Sequence, residues 1–418
     1  MRITGKNDTA LSILQGRDNL LWQYHLRDGQ FEKAKTILLK LLESEPRNKS
    51  VLRGLMQVSQ KLSEKENLQK YSEKLLGLEK SVENELLQIQ MYLDAGIVQQ
   101  ANNKLASFRT RHPDERRGLL LEAWATMSKG KLKQALDLVG KYMQLDPENA
   151  IAWRLKGQIH SLRGEFKSAI DAMLKSKSID DTPEIQIELA NAYKRSGDMN
   201  KAIGVLSAAL QDDRAPMRMR IMLEELYYES DRKTELPRFY RETLYKYPEN
   251  VNWLFRAGRF SLQAGKYNDA QNYFLKAWNI SLDSGGGLAA LDGYLSALRG
   301  ARQYFEAIKY ASQYTDTKYA PVAYLNMANA EHKLDNRKKA LEYYHEAIES
   351  SGNNNAFVYK ILGNMYSVLG EEEVTKWCRN QLTSNPDSLA ANRMMSMIAT
   401  ENENFDKAVA YMEKCLQA

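Results

Sequence analysis

Few residues in this sequence have the types and the spacing that catalysis or metal binding requires. The five histidines stand apart along the chain. The segment HEAIE at residues 345–349 comes nearest to a zinc motif, but it has a glutamate where HExxH needs its second histidine ligand. The two cysteines, Cys378 and Cys415, form no CxxC pair, so neither a zinc site nor a disulfide framework is indicated.

Glycine-rich segments are the next candidates, because such loops can hold a phosphate group. SGGG at residues 284–287 matches neither GxGxxG after a strand nor GK[ST], and a stretched turn explains it better. Two glycines flank a histidine in WRLKGQIHSLRG, residues 153–164, and helix packing and turning account for both. Adjacent carboxylates such as Glu371 and Glu372 show no sign of the burial that separates acid and base roles. We therefore expect no enzyme activity, no cofactor and no metal.

Charge and hydropathy exclude two further classes of function. The chain has 418 residues, with 59 Lys and Arg against 53 Asp and Glu, and this mild excess is spread along its length. Nucleic-acid binding is therefore not expected. Because no run of about 18 apolar residues occurs, direct membrane insertion is not expected either. These features predict a soluble protein, cytoplasmic by default, or periplasmic if the sequence is an excised part of a secreted or envelope protein.

A repeat of 33 or 34 residues organises the chain. Its clearest sign is a glycine followed by four residues and an alanine, as in GKLKQA, GEFKSA and GDMNKA. After an N-terminal extension of residues 1–14, about twelve units cover residues 15–418, and a three-residue insertion falls near residues 284–287. The second and seventh units are degenerate. The twelve anchor positions are Ala34, Leu68, Ala101, Ala135, Ala169, Ala202, Leu236, Ala270, Ala307, Ala340, Thr375 and Ala408.

Each unit is predicted to be a helix, a tight turn at the glycine and a second helix. Eight of the nine prolines fall eleven to fourteen residues after an anchor. Because proline breaks a helix interior, that phase of the repeat must be a helix boundary. Between boundaries, Leu189, Tyr193, Ala202 and Leu206 follow the spacing of an amphipathic helix. The anchor is small because two helices cross there.

A helix-turn-helix of 34 residues with W-x-x-x-G, a turn glycine, an aromatic residue and an alanine resembles the tetratricopeptide repeat. The fifth unit matches it best, through Trp153, Gly157, Gly164, Phe166 and Ala169. The resemblance implies an all-α fold, an α-solenoid of such repeats wound into a right-handed superhelix. It also implies that the first helices line a concave groove and that the protein is a non-catalytic scaffold for protein–protein interaction.

Residues that face such a groove should recur at a fixed offset in the first helix. Eleven residues before each anchor, seven of the twelve residues are Asn or Gln. A side-chain amide offers a donor and an acceptor, so a row of amides can pair with the backbone of an extended peptide. Lys360 and Asn364 also resemble half of the clamp that holds a C-terminal carboxylate in this family. The predicted groove residues are Gln23, Gln57, Gln90, Trp124, Gln158, Asn191, Arg259, Asn329, Lys360 and Asn364.

Two functions stay open at this point. The first is an adaptor that binds an extended peptide or protein segment in its groove, within a multiprotein assembly. The alternative is a scaffold in a bacterial envelope machine that secretes polysaccharide or protein, since groove aromatics such as Trp124, Tyr228 and Phe255 would also suit sugar stacking. These functions predict different ligands, an extended peptide or protein segment in one case and a polymer or partner enzymes in the other.

The last helix supplies a separate prediction about partners. Its sequence, FDKAVAYMEKCLQA, would leave an apolar face without a neighbouring repeat. We expect a partner, a second copy of the chain or further sequence to cover that face, whose residues are Phe405, Val409, Met412 and Leu416.

Overall fold

The computed structural model describes residues 18–27, 29–212, 215–281 and 286–417. The described residues form helices and connecting turns, without strands, which confirms the predicted all-α helical-repeat class. The predicted N-terminal extension, residues 1–14, and the first two residues of the predicted insertion near residues 284–287 lie outside the described ranges.

The helices divide between two compact units, which meet in sequence at Lys233 and Thr234, inside the irregular seventh repeat. The N-terminal unit contains α1 (Asp18–Arg27), α2 (Phe31–Ser44), α3 (Lys49–Lys61), α4 (Lys65–Leu78), α5 (Val82–Asp94), α6 (Val98–Arg111), α7 (Arg117–Ser128), α8 (Leu132–Leu145), α9 (Ala150–Leu162), α10 (Phe166–Ile179), α11 (Pro183–Arg195), α12 (Met199–Ala209) and α13 (Met217–Glu229). The C-terminal unit contains α14 (Leu236–Lys246), α15 (Val251–Gln263), α16 (Tyr267–Ser281), α17 (Gly287–Gly300), α18 (Tyr304–Ala311), α19 (Ala320–Lys333), α20 (Arg337–Ser350), α21 (Asn355–Leu369), α22 (Glu371–Ser384), α23 (Leu389–Glu401) and α24 (Phe405–Gln417).

The turn between the two helices of a repeat shares one backbone feature at a fixed position. The residue five positions before the anchor has a positive φ in all twelve repeats, including those with degenerate sequences. This left-handed conformation ends the first helix and suits glycine, yet five of the twelve residues are not glycine. The twelve are Gly29, Ser63, Gly96, Gly130, Gly164, Gly197, Asp231, Gly265, Arg302, Asp335, Gly370 and Glu403.

The anchors lie where helices cross, as predicted. Eleven of the twelve are buried, and Thr375 is half-buried. In the fifth repeat, a Cβ atom on Gly157 would lie 2.8 Å from the Cε of Met173, so glycine permits the close approach of α9 and α10. Trp153 contributes less to the core than its motif position suggests. It is half-buried, and its indole N–H donates to the Pro147 carbonyl oxygen at 2.8 Å.

Caps at the first turns explain why the helices begin where they do. The Asn149 side chain accepts a hydrogen bond from the backbone N–H of Ala152, which starts α9. Thr182 caps α11 in the same way, and Pro183 occupies its first position, where a missing N–H costs nothing. The proline phase of the repeat therefore falls in the loop before a first helix or at the start of that helix.

The outer face of α24 is apolar and exposed, as its sequence predicts. Phe405 is 63% exposed and Leu416 is 83% exposed, and Val409 and Met412 are also exposed. What covers this face stays a prediction. None of the described helices has the length and apolar character needed to cross a membrane. Within the described ranges, no three His, Cys, Asp or Glu side chains are grouped as a metal site.

Candidate functional site

A cavity of about 290 Å³ opens between the first helices of three successive repeats in the N-terminal unit. We call this cavity the groove pocket. Helices α5, α7 and α9 each contribute four side chains to it. The lining residues are Glu83, Leu86, Leu87 and Gln90 from α5, Arg117, Leu120, Leu121 and Trp124 from α7, and Ile151, Arg154, Leu155 and Gln158 from α9.

The lining follows the repeat register. Each helix contributes the residues 18, 15, 14 and 11 positions before its anchor. These positions are three and four residues apart, so they share one face of an α-helix. The register therefore places Gln90, Trp124 and Gln158 on one side of the pocket. Five of the six residues at the two middle positions are leucines, which form an apolar floor, and the sixth is Arg154.

Gln158 is the lining residue with the most informative hydrogen bond. Its Nε2 atom donates to Oε1 of Glu188 on α11 at 2.7 Å, which leaves its own Oε1 free to accept. The other carboxylate oxygen of Glu188 is buried and has no hydrogen-bond partner in the described structure. Burial raises the pKa of Glu188, and the positive charge of Arg154 offsets this only in part. The Oε2 atom of Glu188, beside Gln158, thus lacks a hydrogen-bond donor.

Arg117, on the opposite side of the pocket, is held by two carboxylates. Its Nη2 atom lies 2.9 Å from Oε2 of Glu115 and 3.3 Å from Oε1 of Glu83. Glu115 also accepts from the Nε of Arg117 at 2.9 Å and from its backbone N–H at 3.1 Å. These bonds fix the guanidinium group at the pocket edge.

We predict that Glu115 titrates far below a free glutamate. The hydrogen bonds from Arg117 lower its pKa from the ordinary value of 4.5 to about 2. The depressed pKa means that the pair stabilises the fold above about pH 4.5 and that this contribution is lost as the pH falls toward 2. NMR titration of the Glu115 carboxyl carbon should give an apparent pKa near 2, rising by more than a unit in Arg117→Ala. A wild-type value near 4.5 would contradict the pairing.

The other groove predictions in the N-terminal unit have different surroundings. Gln23 and Gln57 are exposed on α1 and α3, and Asn191 is half-buried on α11. None of the three lines the groove pocket. The structure thus brings together three of the six residues predicted in this unit.

The C-terminal unit holds the remaining four, and three of them, Asn329, Lys360 and Asn364, have partners within the fold. Arg259 is exposed on α15. Asn329 is buried rather than facing solvent, and its side-chain oxygen accepts a hydrogen bond from the Tyr344 hydroxyl at 2.6 Å. Its groove role stays a prediction, and its side chain already has one hydrogen-bond partner within the repeat. The offset in the sequence could not reveal this hydrogen bond, because Tyr344 belongs to the second helix of the same repeat.

Lys360 and Asn364, the predicted half of a carboxylate clamp, also make contacts within the protein. The Nζ of Lys360 lies 3.0 Å from Oδ2 of Asp292, which comes from two repeats earlier. Asn364 donates its amide to the Lys360 carbonyl oxygen, one turn back in the same helix, at 3.0 Å. Both groups that would hold a carboxylate therefore already have protein partners.

The aromatic residues suggested for sugar stacking have different surroundings within their own units. Trp124 is half-buried and packs beside the leucines of the groove pocket. Phe255, in the C-terminal unit, packs edge-on against Phe274 with ring centroids 6.0 Å apart. Tyr228 is 38% exposed on α13. Of these three residues, Trp124 is the one that lines the groove pocket.

Comparison with known proteins identifies the repeat. Models of the tetratricopeptide repeat match residues 120–183, which include the pocket residues of α9 and most of those of α7. A second model of the same repeat matches residues 321–354 and 393–418. A search of curated protein sequences gave no significant match.

Solved structures of tetratricopeptide-repeat proteins are similar at low identity. The P58(IPK) TPR domain is 14% identical over 85% of this chain and 98% of its own, with a TM-score of 0.26. A thermophilic TPR protein of Thermus thermophilus is 20% identical over 51% of this chain and 98% of its own, with a TM-score of 0.33. A chain from the complex of Naa15/Naa10 bound to HypK-THB is 14% identical over 95% of this chain and 68% of its own, with a TM-score of 0.33.

Proposed function

The chain is a tetratricopeptide-repeat protein with the fold of a protein-interaction scaffold, and we propose that it binds an extended segment of a partner protein in the groove pocket. The observation that supports this most is the repeated register of the lining. Three successive first helices each present two residues to the floor and one residue, Gln90, Trp124 or Gln158, to the same side.

The volume of the pocket suits one large side chain. A volume of about 290 Å³ lies at the lower limit of the cavities that hold small molecules, so the pocket is too small for a larger cofactor. The floor is formed largely by leucines, and burial of one aliphatic or aromatic side chain contributes about 1.5 to 3 kcal/mol. An extended segment can insert such a side chain while its backbone stays near the rim.

The rim supplies the polar groups that an extended backbone requires. Gln90, at the α5 end of this rim, is exposed. Gln158, at the α9 end, keeps its side-chain oxygen free to accept a hydrogen bond. A side-chain amide can accept a hydrogen bond from a backbone N–H and donate one to a backbone carbonyl, whatever the side chains of the bound segment are. The pocket therefore selects the anchor, and the amides hold the chain that carries it. We propose no catalytic step, because the arginine at the edge, Arg117, is already paired with carboxylates.

A peptide fits this pocket better than the polysaccharide of the alternative function. Sugars present many hydroxyl groups and need several polar partners around each ring, whereas seven of the twelve lining side chains are apolar. Stacking also needs an open aromatic face, and Trp124 is half-buried among leucines. We propose that the partner is a protein in a multiprotein assembly rather than a polymer in transit.

Selection from a library of random displayed peptides tests this function. We expect the wild-type protein to enrich peptides with a bulky apolar residue and to bind the consensus peptide at micromolar affinity in calorimetry. Leu121→Asp, which places a charge on the pocket floor, should abolish binding, and Gln57→Ala on the exposed face of α3 should not. Binding of oligosaccharides in place of peptides, lost in Trp124→Ala, would support the alternative and contradict the proposal.

A further inference from the structure

The carboxylate of Glu188 is the least satisfied polar group beside the groove pocket. Its Oε1 atom accepts from Gln158, which lines the pocket, but its Oε2 atom is buried without a donor. A buried acceptor without a partner costs free energy, and more so when it is charged. The side chain as a whole is half-buried, and rotation of a terminal carboxyl group is soft. A donor bound at the pocket edge could therefore reach this carboxylate.

The charges around Glu188 leave room for one more cation. Arg154 on α9 and Arg218 on α13 act on Glu188 favourably, and Glu184, one turn earlier on α11, opposes them. Arg154 also acts on the carboxylate of Asp94, so it is shared between two acidic groups. It makes neither a hydrogen bond nor a close ion pair with Glu188, whose only described donor is the neutral amide of Gln158.

We propose that the partner segment carries a lysine or arginine beside its apolar anchor and that this cation binds the Glu188 carboxylate at the edge of the groove pocket. This inference rests on the proposed function and adds the chemistry of the partner. The apolar floor of the pocket and the carboxylate at its edge together specify a motif in the partner. In this motif, a basic residue lies close to a bulky apolar residue, on either side of it.

The cation is favoured over a neutral donor by its interaction with a partly desolvated carboxylate. Charge-assisted hydrogen bonds are about twice as strong as neutral ones, and water competes poorly for an atom that is already buried. The hydrogen bond from Gln158 to Oε1 of Glu188 can persist, and the side-chain oxygen of Gln158 then stays available to the backbone of the bound segment.

Peptide selection with matched variants tests the inference. The wild type, Glu188→Gln and Glu184→Gln are each panned against the same random displayed peptides. Glu184 is the control because it lies one turn earlier on the same helix and is exposed, whereas Glu188 is half-buried and accepts a hydrogen bond from the pocket residue Gln158. We expect lysine or arginine next to the apolar anchor with the wild type and Glu184→Gln. With Glu188→Gln, the anchor should persist and the basic neighbour should fall to its library frequency.

Calorimetry on the consensus peptide supplies the second readout. Replacing its basic residue with methionine should weaken binding to the wild type by about tenfold, and binding to Glu188→Gln by much less. Equal losses in both proteins would overturn the inference, as would selection of acidic or neutral neighbours, while the proposed function would stand. Failure to enrich any peptide would instead contradict the proposed function, and the inference with it.

Discussion

Replacing Phe274 with alanine is expected to destabilise the C-terminal unit by about 3 to 5 kcal/mol. The ring is 2% exposed and lies between two glycines of neighbouring first helices. A Cβ atom on Gly258 of α15 would lie 2.9 Å from its Cζ, and one on Gly293 of α17 would lie 2.5 Å from its Cδ1. The glycines have no side chains that could move into the space left by the ring, so the cavity stays open.

Phe305→Ala is the matched control, because this phenylalanine of the same unit is 72% exposed. Its removal should change stability by less than about 0.5 kcal/mol. Hydrogen exchange of the helices in this unit, measured at increasing denaturant concentration, gives the free energy of unfolding of both variants. A local probe is needed because repeat arrays can unfold in parts. Equal destabilisation by the two substitutions would show that Phe274 does not have the role assigned to it.

Replacing Trp124 with alanine is expected to weaken binding of the selected consensus peptide by about 30-fold or more. Trp124 is central in the groove pocket, with lining residues from α5 on one side and from α9 on the other. Aromatic residues at the centre of an interface often cost about 2 kcal/mol or more when truncated. Its loss would also open the apolar floor to water, which weakens the burial of the anchor.

Trp153→Ala is the control for this experiment. Trp153 belongs to α9, one repeat later, is half-buried like Trp124 and does not line the pocket. The affinity of this variant for the peptide should stay within about twofold of the wild type. Thermal melting of both variants separates a binding effect from unfolding. Similar affinity losses in the two folded variants would remove Trp124 from the site.

Most of the repeat architecture could be predicted from the sequence because its signals are local. The glycine before each anchor, the proline phase and the small anchor each report on one turn or one crossing. The degenerate repeats had weaker signals, since Ser63 and Asp231 occupy turn positions where most repeats have glycine. Both residues adopt positive φ, because the packing of the flanking helices outweighs the backbone preference of one residue.

The candidate site could be predicted only in part. The offset of eleven residues found Gln90, Trp124 and Gln158, but the floor positions at offsets of 14 and 15 were missed. Leucines there resemble core residues in sequence, and only their recurrence beside the amide position marks the groove. Pairings with residues of other helices, such as Lys360 with Asp292, depend on side-chain geometry that spacing does not contain.

Site-specific photocrosslinking in the native cell tests the central claim most directly. A photoreactive amino acid replaces Gln90 at the pocket edge, or Gln134 on the exposed surface of α8 as a control. We predict that position 90 crosslinks to one defined segment of a partner protein, identified by mass spectrometry, and that Leu121→Asp abolishes this crosslink. The same products from both positions, or a crosslink from position 90 that persists in Leu121→Asp, would contradict binding in the groove pocket.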